Sequence, residues 1–542
     1  MTLIKNYVNS LKTEFKGYNP KKLGKDVLAG VTVAAVALPL ALAFGVSSGA
    51  SAAAGLITAV IAGLVIGTLS GASYQISGPT GAMTAILLSL VAQKGLDGVF
   101  IACFLSGAIL VIAGLLKLGG LVSFIPLPVI TGFTSGIAII IAFGQINNIS
   151  GLTCSGTSTI EKIVSYFTTA QSPDFTALII GAAVIVFMAV YPKKINQYFP
   201  SSLAAIILAT ALNIIFKFPV AAVGEIPKTI FLPERLSFAA LSLDKITSLI
   251  PSAFSIAALG LIESLLCGAA AGRMKNEPID ADRELVAQGL GNMLIPMFGG
   301  VPATAAIART SVAVKSGGQT RVTGIVHSAV LLLSMFVLGG VMSAIPLSAL
   351  AGVLMVTAFR MNDMAVIKDI FKRKIKTAIS QFLITMAATV IFDLTIAIMI
   401  GVLFSLVMFV VKISDMQITT SDVDPKKLPD DTEYTEKHKR TCVVYLSGPL
   451  YFGTAGKLRE KLPDTSKKDI LIFSMRGVTL ADVSGVEALN ELCASLSEKN
   501  VSVYFTCVQP AVMEMFDRCG MSDTVGEEKF FWSTDKVLDK IS

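Results

Sequence analysis

Two ionisable side chains lie inside long apolar stretches of the sequence, where a charge is costly. Glu263 is the single charged residue of residues 248–272, and Arg309 is the single charged residue of residues 299–314. Ionisable residues within membrane-spanning segments mark substrate or ion pathways by default. A buried carboxyl group can take up and release a proton, and a guanidinium group attracts an anion. The two residues therefore predict anion transport coupled to proton movement.

Two helix-breaking runs accompany these residues. ISGPTGAMTAI lies within residues 27–93, which contain no Lys, Arg, Asp or Glu, and GGVPATAAIARTSVAV again places small residues and Thr after a Pro. In a bilayer, irregular backbone survives only where protein buries it or where it lines a cavity. Helices beginning just after Thr80 and near residues 305–309 would aim free N–H groups and positive dipole ends into one cavity. Two matched breaks predict a carrier built from inverted repeats, with an anion held between them.

Each of these features has a structural alternative. Small residues and Pro also permit kinks and close packing in membrane helices, and Pro39 is compatible with local unwinding or with a packing kink. Glu263 could form a fixed ion pair with Arg309. It could also coordinate sodium, although Cys267, one turn later, is a poor sodium ligand. Asp393 is predicted to cap a helix.

The composition places the chain in a membrane. It is 53% hydrophobic and 15% charged, with a mean hydropathy of +0.73. About fourteen apolar segments can be distinguished, and Lys and Arg concentrate in the connections that would be cytoplasmic if both termini are inside. The seven Cys and two His show no metal-binding spacing, so we expect reduced thiols, no metal and no cofactor. The net charge of +7 indicates membrane orientation rather than nucleic-acid binding.

Composition also divides the chain into four parts. Residues 1–25 form a basic N-terminal segment, 26–412 a transmembrane transport domain, 413–438 a linker and 439–542 a C-terminal domain. In the last part the strand-like RTCVVYLSGPLYF and DILIFSMRGV precede the helical VEALNELCASLSEKN and the strand-like VSVYFTCV. Alternating strands and helices predict a small α/β domain, which faces the cytoplasm if the number of spans is even.

Several separated motifs resemble the SulP family of anion transporters. They are ALPLALAFGVSSGASAAAGLITAVIAGLVIGTLSGASYQISGPTGAMT, GLIESLLCG, LVAQGLGNMLIPMFGGVPATAAIARTSVAVKSGGQT and IPLSALAGVLMV. GPLYFGTAGKLREKL and ILIFSMRGVTLADVSGVEALNEL resemble the STAS domain that follows the membrane part in this family. The resemblance implies an α-helical polytopic membrane protein of seven-plus-seven inverted repeats, with core and gate domains, a cytoplasmic α/β STAS domain and a homodimeric state. Ser484 matches a phosphorylated Ser of stand-alone STAS proteins, although we interpret it here as a helix cap.

The resemblance also implies an anion site between the third and tenth spans. Carried over by position, the anion-binding residues are Leu40, Phe44, Thr80, Gly81, Ala82, Ala308, Arg309 and Thr310, with Glu263 for proton coupling and Glu263 with Cys267 as a possible cation site. Some relatives have Gln at the position of Leu40 and Ser at that of Ala308, so backbone amides must contribute more here. Sodium-dependent bicarbonate carriers of the family have Asp and Thr at the positions of Glu263 and Cys267.

The sequence therefore predicts a proton-coupled symporter of sulfate, a dicarboxylate or bicarbonate in the cytoplasmic (inner) membrane. The alternatives are a sodium-coupled bicarbonate symporter, an uncoupled anion exchanger or channel, and a membrane-anchored signalling protein whose output is the STAS domain. An enzyme is not expected, because no nucleophile, base and orienting residue occur together and no phosphate-binding loop is present.

Overall fold

The computed structural model describes most of the chain as two compact units, residues 1–403 and 404–542. The described residues are 2–152, 159–168, 172–196, 199–238, 242–392, 394–413, 416–428, 433–454, 456 and 468–542. Asp393, predicted to cap a helix, lies outside them.

The first unit is helical. Its helices are α1 (Thr2–Glu14), α2 (Pro20–Ser47), α3 (Ala52–Leu69), α4 (Gly81–Leu115), α5 (Leu127–Gly144), α6 (Ile146–Ser150), α7 (Thr159–Thr168), α8 (Phe175–Val190), α9 (Lys193–Asn196), α10 (Ser201–Phe216), α11 (Leu243–Lys275), α12 (Ala281–Leu294), α13 (Ile307–Lys315), α14 (Val322–Met342), α15 (Leu347–Met361), α16 (Met364–Lys372), α17 (Lys376–Ile391) and α18 (Leu394–Ile413), the last of which continues into the second unit. Two short strands, β1 (Ser77–Gly78) and β2 (Thr304–Ala305), lie in the two predicted breaks.

Many of these helices are apolar enough to cross a bilayer. Seven helical segments of the described chain have the length and hydropathy of a full span, and four shorter apolar helices accompany them. The seven are Pro20–Ser47, Ala52–Leu69, Gly81–Leu115, Leu127–Ser150, Leu243–Lys275, Val322–Met342 and Leu347–Lys372. A polytopic membrane protein is therefore confirmed, whereas the count of fourteen spans stays a prediction.

The helices of the first unit pack in two groups. One contains α2, α3, α4, α11, α12, α13 and α14, and the other contains α5, α8, α10, α15 and α17. The first group carries both helix breaks, and α5 and α15 of the second group pack against α4 and α2 of the first. This grouping agrees with the core and gate domains that the resemblance implies.

Both predicted interruptions are present. α4 begins at Gly81, directly after Pro79 and Thr80, and α13 begins at Ile307. α4 is further divided at Gly95, whose φ of 69° is accessible to Gly at little cost. Unwinding at Pro39 is wrong, because α2 runs without a break from Pro20 to Ser47. A Pro there removes one backbone hydrogen bond, and Pro39 is buried within the continuous helix.

The second unit contains a five-stranded sheet in the order β3-β4-β5-β6-β7. The strands are β3 (Gln417–Asp422), β4 (Thr441–Ser447), β5 (Ile470–Gly477), β6 (Ser502–Thr506) and β7 (Phe530–Phe531). Its helices are α19 (Glu436–Lys439), α20 (Val483–Glu498), α21 (Pro510–Arg518), α22 (Met521–Val525) and α23 (Thr534–Ile541). Strands β4 to β7 are parallel, and buried apolar residues on both sides of the sheet form the core. The predicted α/β domain is confirmed.

Two details of this unit differ from the sequence prediction. Residues 417–422, assigned to the linker, form the edge strand β3, which pairs antiparallel with β4; the domain boundaries otherwise stay a prediction. Ser484 does not cap α20, because the helix begins one residue earlier and Asp482 accepts the hydrogen bond from Gly485 N at 2.7 Å. Ser484 is exposed in the first turn. Its possible phosphorylation stays a prediction.

Candidate functional site

The two helix breaks meet inside the first unit. β1 and β2 pair antiparallel, with Ser77 opposite Ala305 and Gly78 opposite Thr304. Because the two strands run in opposite directions, α4 and α13 leave the pair in opposite directions, and their N-termini lie beside the same strand pair. Neither Thr80 nor Ala306, the residues before the two helices, makes a side-chain capping bond. The first-turn N–H groups of both helices therefore lack the usual side-chain acceptor and can bind an anion.

The carboxylate of Glu263 is hydrogen-bonded to two threonine hydroxyl groups. Its Oε2 accepts hydrogen bonds from Thr80 Oγ1 at 2.9 Å and from Thr304 Oγ1 at 2.5 Å. The two threonine hydroxyls are 3.1 Å apart. Glu263, on α11, is thus connected to both breaks, since Thr80 precedes α4 and Thr304 belongs to β2. Protonation of this carboxyl group would rearrange hydrogen bonds at both helix starts.

Arg309 is directed into the strand pair rather than towards Glu263. Its side chain is 1% exposed, and Nη2 donates to Pro79 O at 2.8 Å. Its Nη1 has no partner among the described residues and lies so close to Gly78 that an added Cβ would be 2.7 Å away. The described part of the chain contains no ion pair between Arg309 and Glu263, so the geometry gives no support to the fixed-pair alternative. An unpaired buried guanidinium N–H is a donor available to an anion.

Apolar side chains cover the start of α4. An added Cβ at Gly81 would lie 2.3 Å from Ile141 Cδ1 and 3.2 Å from Phe44 Cε1. Leu40, Phe44 and Ala82 are buried, whereas Ala308 on α13 is exposed. Ile141, on α5, also lines a cavity of about 60 Å³ beside the next turns of α4. A residue of the second helix group therefore closes over the amide end of α4.

Cys267 and Thr310 contact each other and support β1. Cys267 Sγ donates to Thr310 Oγ1 at 3.3 Å, and the same oxygen accepts from Ile76 N at 3.0 Å. Among the described residues, no hydrogen bond joins either side chain to the carboxylate of Glu263. Their geometry is that of residues that hold the backbone in place, and their direct roles as anion or cation ligands stay predictions.

Sequence reasoning missed Thr304 and Ile141. A signal for Thr304 was present, because each break contains a Thr one or two residues after its Pro: Pro79-Thr80 and Pro302-Ala303-Thr304. Ile141 carried no local signal, because it is one apolar residue among many in its segment and its place is set by the packing of α5 on α4.

Comparison with known proteins shows the family. Residues 23–389 match the Sulfate permease family. The chain belongs to this family. Residues 434–537 match the STAS domain. The SulP resemblance is therefore confirmed, and membership makes the chain a multi-pass membrane anion transporter.

Two curated relatives match over nearly the full length. The putative sulfate transporter YvdB of Bacillus subtilis is 35% identical, over 96% of this chain and 98% of its own. The bicarbonate transporter BicA of Picosynechococcus is 30% identical, over 95% of this chain and 94% of its own.

Solved structures show the same fold. Murine Solute Carrier 26 family member A9, an anion transporter in the inward-facing state, superposes with a TM-score of 0.84 at 18% identity, covering 97% of this chain and 93% of that one. The transmembrane domain of a cyanobacterial BicA gives a TM-score of 0.64 at 28% identity, covering 72% of this chain and 98% of that one.

Proposed function

We propose that the protein is a proton-coupled symporter of a small anion such as sulfate, a dicarboxylate or bicarbonate. The observation that carries the proposal is the meeting of two uncapped helix N-termini beside the unpaired Nη1 of Arg309, with Glu263 bonded to the hydroxyls of both breaks. N–H groups, dipole ends and a guanidinium all favour negative charge. Relatives named as sulfate and bicarbonate transporters support the class of substrate.

Protonation of Glu263 would add a donor for the anion. While the carboxylate is ionised it can only accept, so the hydroxyls of Thr80 and Thr304 must both point towards it. Once protonated, it can donate to one of these oxygens and free that hydroxyl to donate elsewhere. Thr80 directly precedes the amide end of α4, so its freed O–H can bind the anion. Loading of the proton and binding of the anion then favour each other, and their charges compensate in one cavity.

Alternating access would move the two helix groups against each other. Ile141 and Phe44 cover Gly81 in the present conformation, so release or entry past α5 requires the second group to shift relative to the first.

We further propose that both termini are cytoplasmic, that the membrane is the cytoplasmic (inner) one and that the chain is a homodimer. The concentration of Lys and Arg in alternate connections supports the orientation.

Uptake of labelled sulfate, bicarbonate and succinate into proteoliposomes, under separately imposed proton and sodium gradients, tests the proposal. We expect uphill accumulation of at least one anion when only a pH gradient is applied. Glu263→Gln should abolish this accumulation while anion exchange continues, because glutamine keeps the size and hydrogen-bonding capacity but cannot titrate. Accumulation by Glu263→Gln equal to that of the wild type would refute the coupling role.

Sodium coupling is the second candidate, and a specific feature favours it. Three oxygens, from Glu263, Thr80 and Thr304, lie within 3.1 Å of one another, and hard cations prefer such oxygen ligands. Uptake driven by a sodium gradient alone, and absent with a proton gradient alone, would establish this candidate in place of proton coupling.

A further inference from the structure

Three buried polar side chains occur at intervals of four along α12. Glu284, Gln288 and Asn292 are at most 1% exposed, and their spacing places them on one face of the helix. Burial of an amide or carboxylate is costly unless its hydrogen bonds are satisfied. The partners of these residues therefore indicate what this face, which we call the α12 ladder, stabilises.

The first two members of the α12 ladder hold β1 and the segment before it. Glu284 accepts hydrogen bonds from Ser70 Oγ at 2.5 Å and from Gly71 N at 2.9 Å. Gln288 donates from Nε2 to Ser77 Oγ at 2.8 Å and to Glu284 Oε1 at 2.8 Å. Gln288 thus connects the strand that leads into α4 to the middle of α12.

The third member holds the backbone that leads into β2. Asn292 Oδ1 accepts from Ala303 N at 2.8 Å, and its Nδ2 donates to Ala303 O at 2.9 Å. On the other side, Thr58 of α3 accepts from Val301 N at 2.7 Å and donates to Val301 O at 2.9 Å. Asn292 lies one helical turn after Gln288 on α12, but it holds the backbone before β2, whereas Gln288 holds β1.

We propose that the α12 ladder is a positioning element that sets the distance between the two helix N-termini and thereby the affinity for the anion. Each strand has only two residues, and so short a pair is not stable by itself. Gln288 and Asn292 belong to one rigid helix and fix one strand each. The inference rests on the proposed anion site, and it assigns affinity to side chains that do not touch the anion.

Ser77→Ala provides the mildest test, because it removes one hydroxyl that accepts from Gln288. We expect the KM for uptake of labelled sulfate, bicarbonate or succinate, whichever the wild type takes up, to rise about fivefold, the effect of one lost hydrogen bond. The maximal rate and the melting temperature should change little. Gln288→Leu should raise KM by a similar factor, and the double variant no further than Gln288→Leu, because both changes remove the same contact.

Ser106→Ala is the matched control. Ser106 is equally buried, but its hydroxyl donates to Cys103 O within α4. This variant should keep the wild-type KM, and adding it to Gln288→Leu should leave the KM of Gln288→Leu unchanged. An unchanged KM in Ser77→Ala, or additive effects of Ser77→Ala and Gln288→Leu, would overturn the positioning role alone. Absence of uptake of all three anions by the wild type would instead overturn the proposed function and the positioning role with it.

Discussion

At the scale of single residues, the proposed coupling of proton to anion depends on the hydroxyl group of Thr80. It donates to Glu263 and directly precedes the first turn of α4. Threonine can exchange one acceptor for another by rotating its O–H, which valine cannot do although it has nearly the same shape. The proposed coupling therefore requires rotation of the Thr80 hydroxyl rather than a movement of the backbone.

Thr80→Val should weaken the effect of acid on anion affinity. In the wild type we expect the KM to fall as the pH is lowered, because protonated Glu263 frees the Thr80 hydroxyl for the anion. In Thr80→Val the KM should fall less on acidification than in the wild type, because only the loss of the Glu263 charge still favours the anion, as measured by initial uptake rates over a pH series. Thr210→Val is the control, because Thr210 is buried in α10 and donates only to Ile206 O. A Thr80→Val variant with the pH dependence of the wild type would contradict the assignment.

At the scale of elements, the close approach of α2 and α3 holds the first helix group together. A Cβ added at Gly55 would lie 2.0 Å from Ala41 O and 2.8 Å from the backbone of Gly45, atoms that cannot move without shifting a helix. Gly67, on the same helix, has no heavy atom within 4 Å of such a Cβ. The two glycines therefore differ in packing and not in helix propensity.

Gly55→Ala should destabilise the protein by about 2 kcal/mol or more, in the range known for overpacked cores. Gly67→Ala should be neutral or slightly stabilising, because Ala favours helix more than Gly does. Thermal unfolding of both variants in detergent measures the difference. The unfolded fraction can be monitored by the reactivity of the buried cysteines with a thiol reagent or by size-exclusion chromatography. Equal melting temperatures would show that the two helices do not approach this closely.

The helix breaks were predictable from the sequence, and their supports were not. A Pro beside two glycines disfavours a helix more strongly than a lone Pro such as Pro39 does, so the break near Thr80 was predictable from the local sequence. Gln288 gave no comparable signal, because its partner Ser77 is distant in sequence and is brought close only by the packing of α12. Strand β3 was missed for a related reason: QITTSD has no apolar alternation, and its strand conformation comes from pairing with β4. The cap of α20 was missed by two residues, the usual uncertainty of a helix boundary.

At the scale of the whole molecule, the second unit contains its own buried core around the sheet. β3 is the outer strand beside β4, and without it the backbone of β4 would become an exposed edge. We therefore expect residues 416–542 to fold as a soluble monomer. Residues 434–542, which lack β3, should unfold at a lower temperature and aggregate, as measured by circular dichroism and light scattering. Equal stability of the two fragments would show that β3 contributes nothing to the domain.

Transport by the proposed mechanism requires an anion bound between the starts of α4 and α13. The most direct measurement is a cryo-electron microscopy map of the protein in nanodiscs, saturated with the anion that it accumulates and compared with a map recorded without it. We predict added density within hydrogen-bond distance of Gly81 N and of the unpaired Nη1 of Arg309. Saturating anion with no density at the two helix starts, or density only elsewhere in the molecule, would contradict an anion site between α4 and α13.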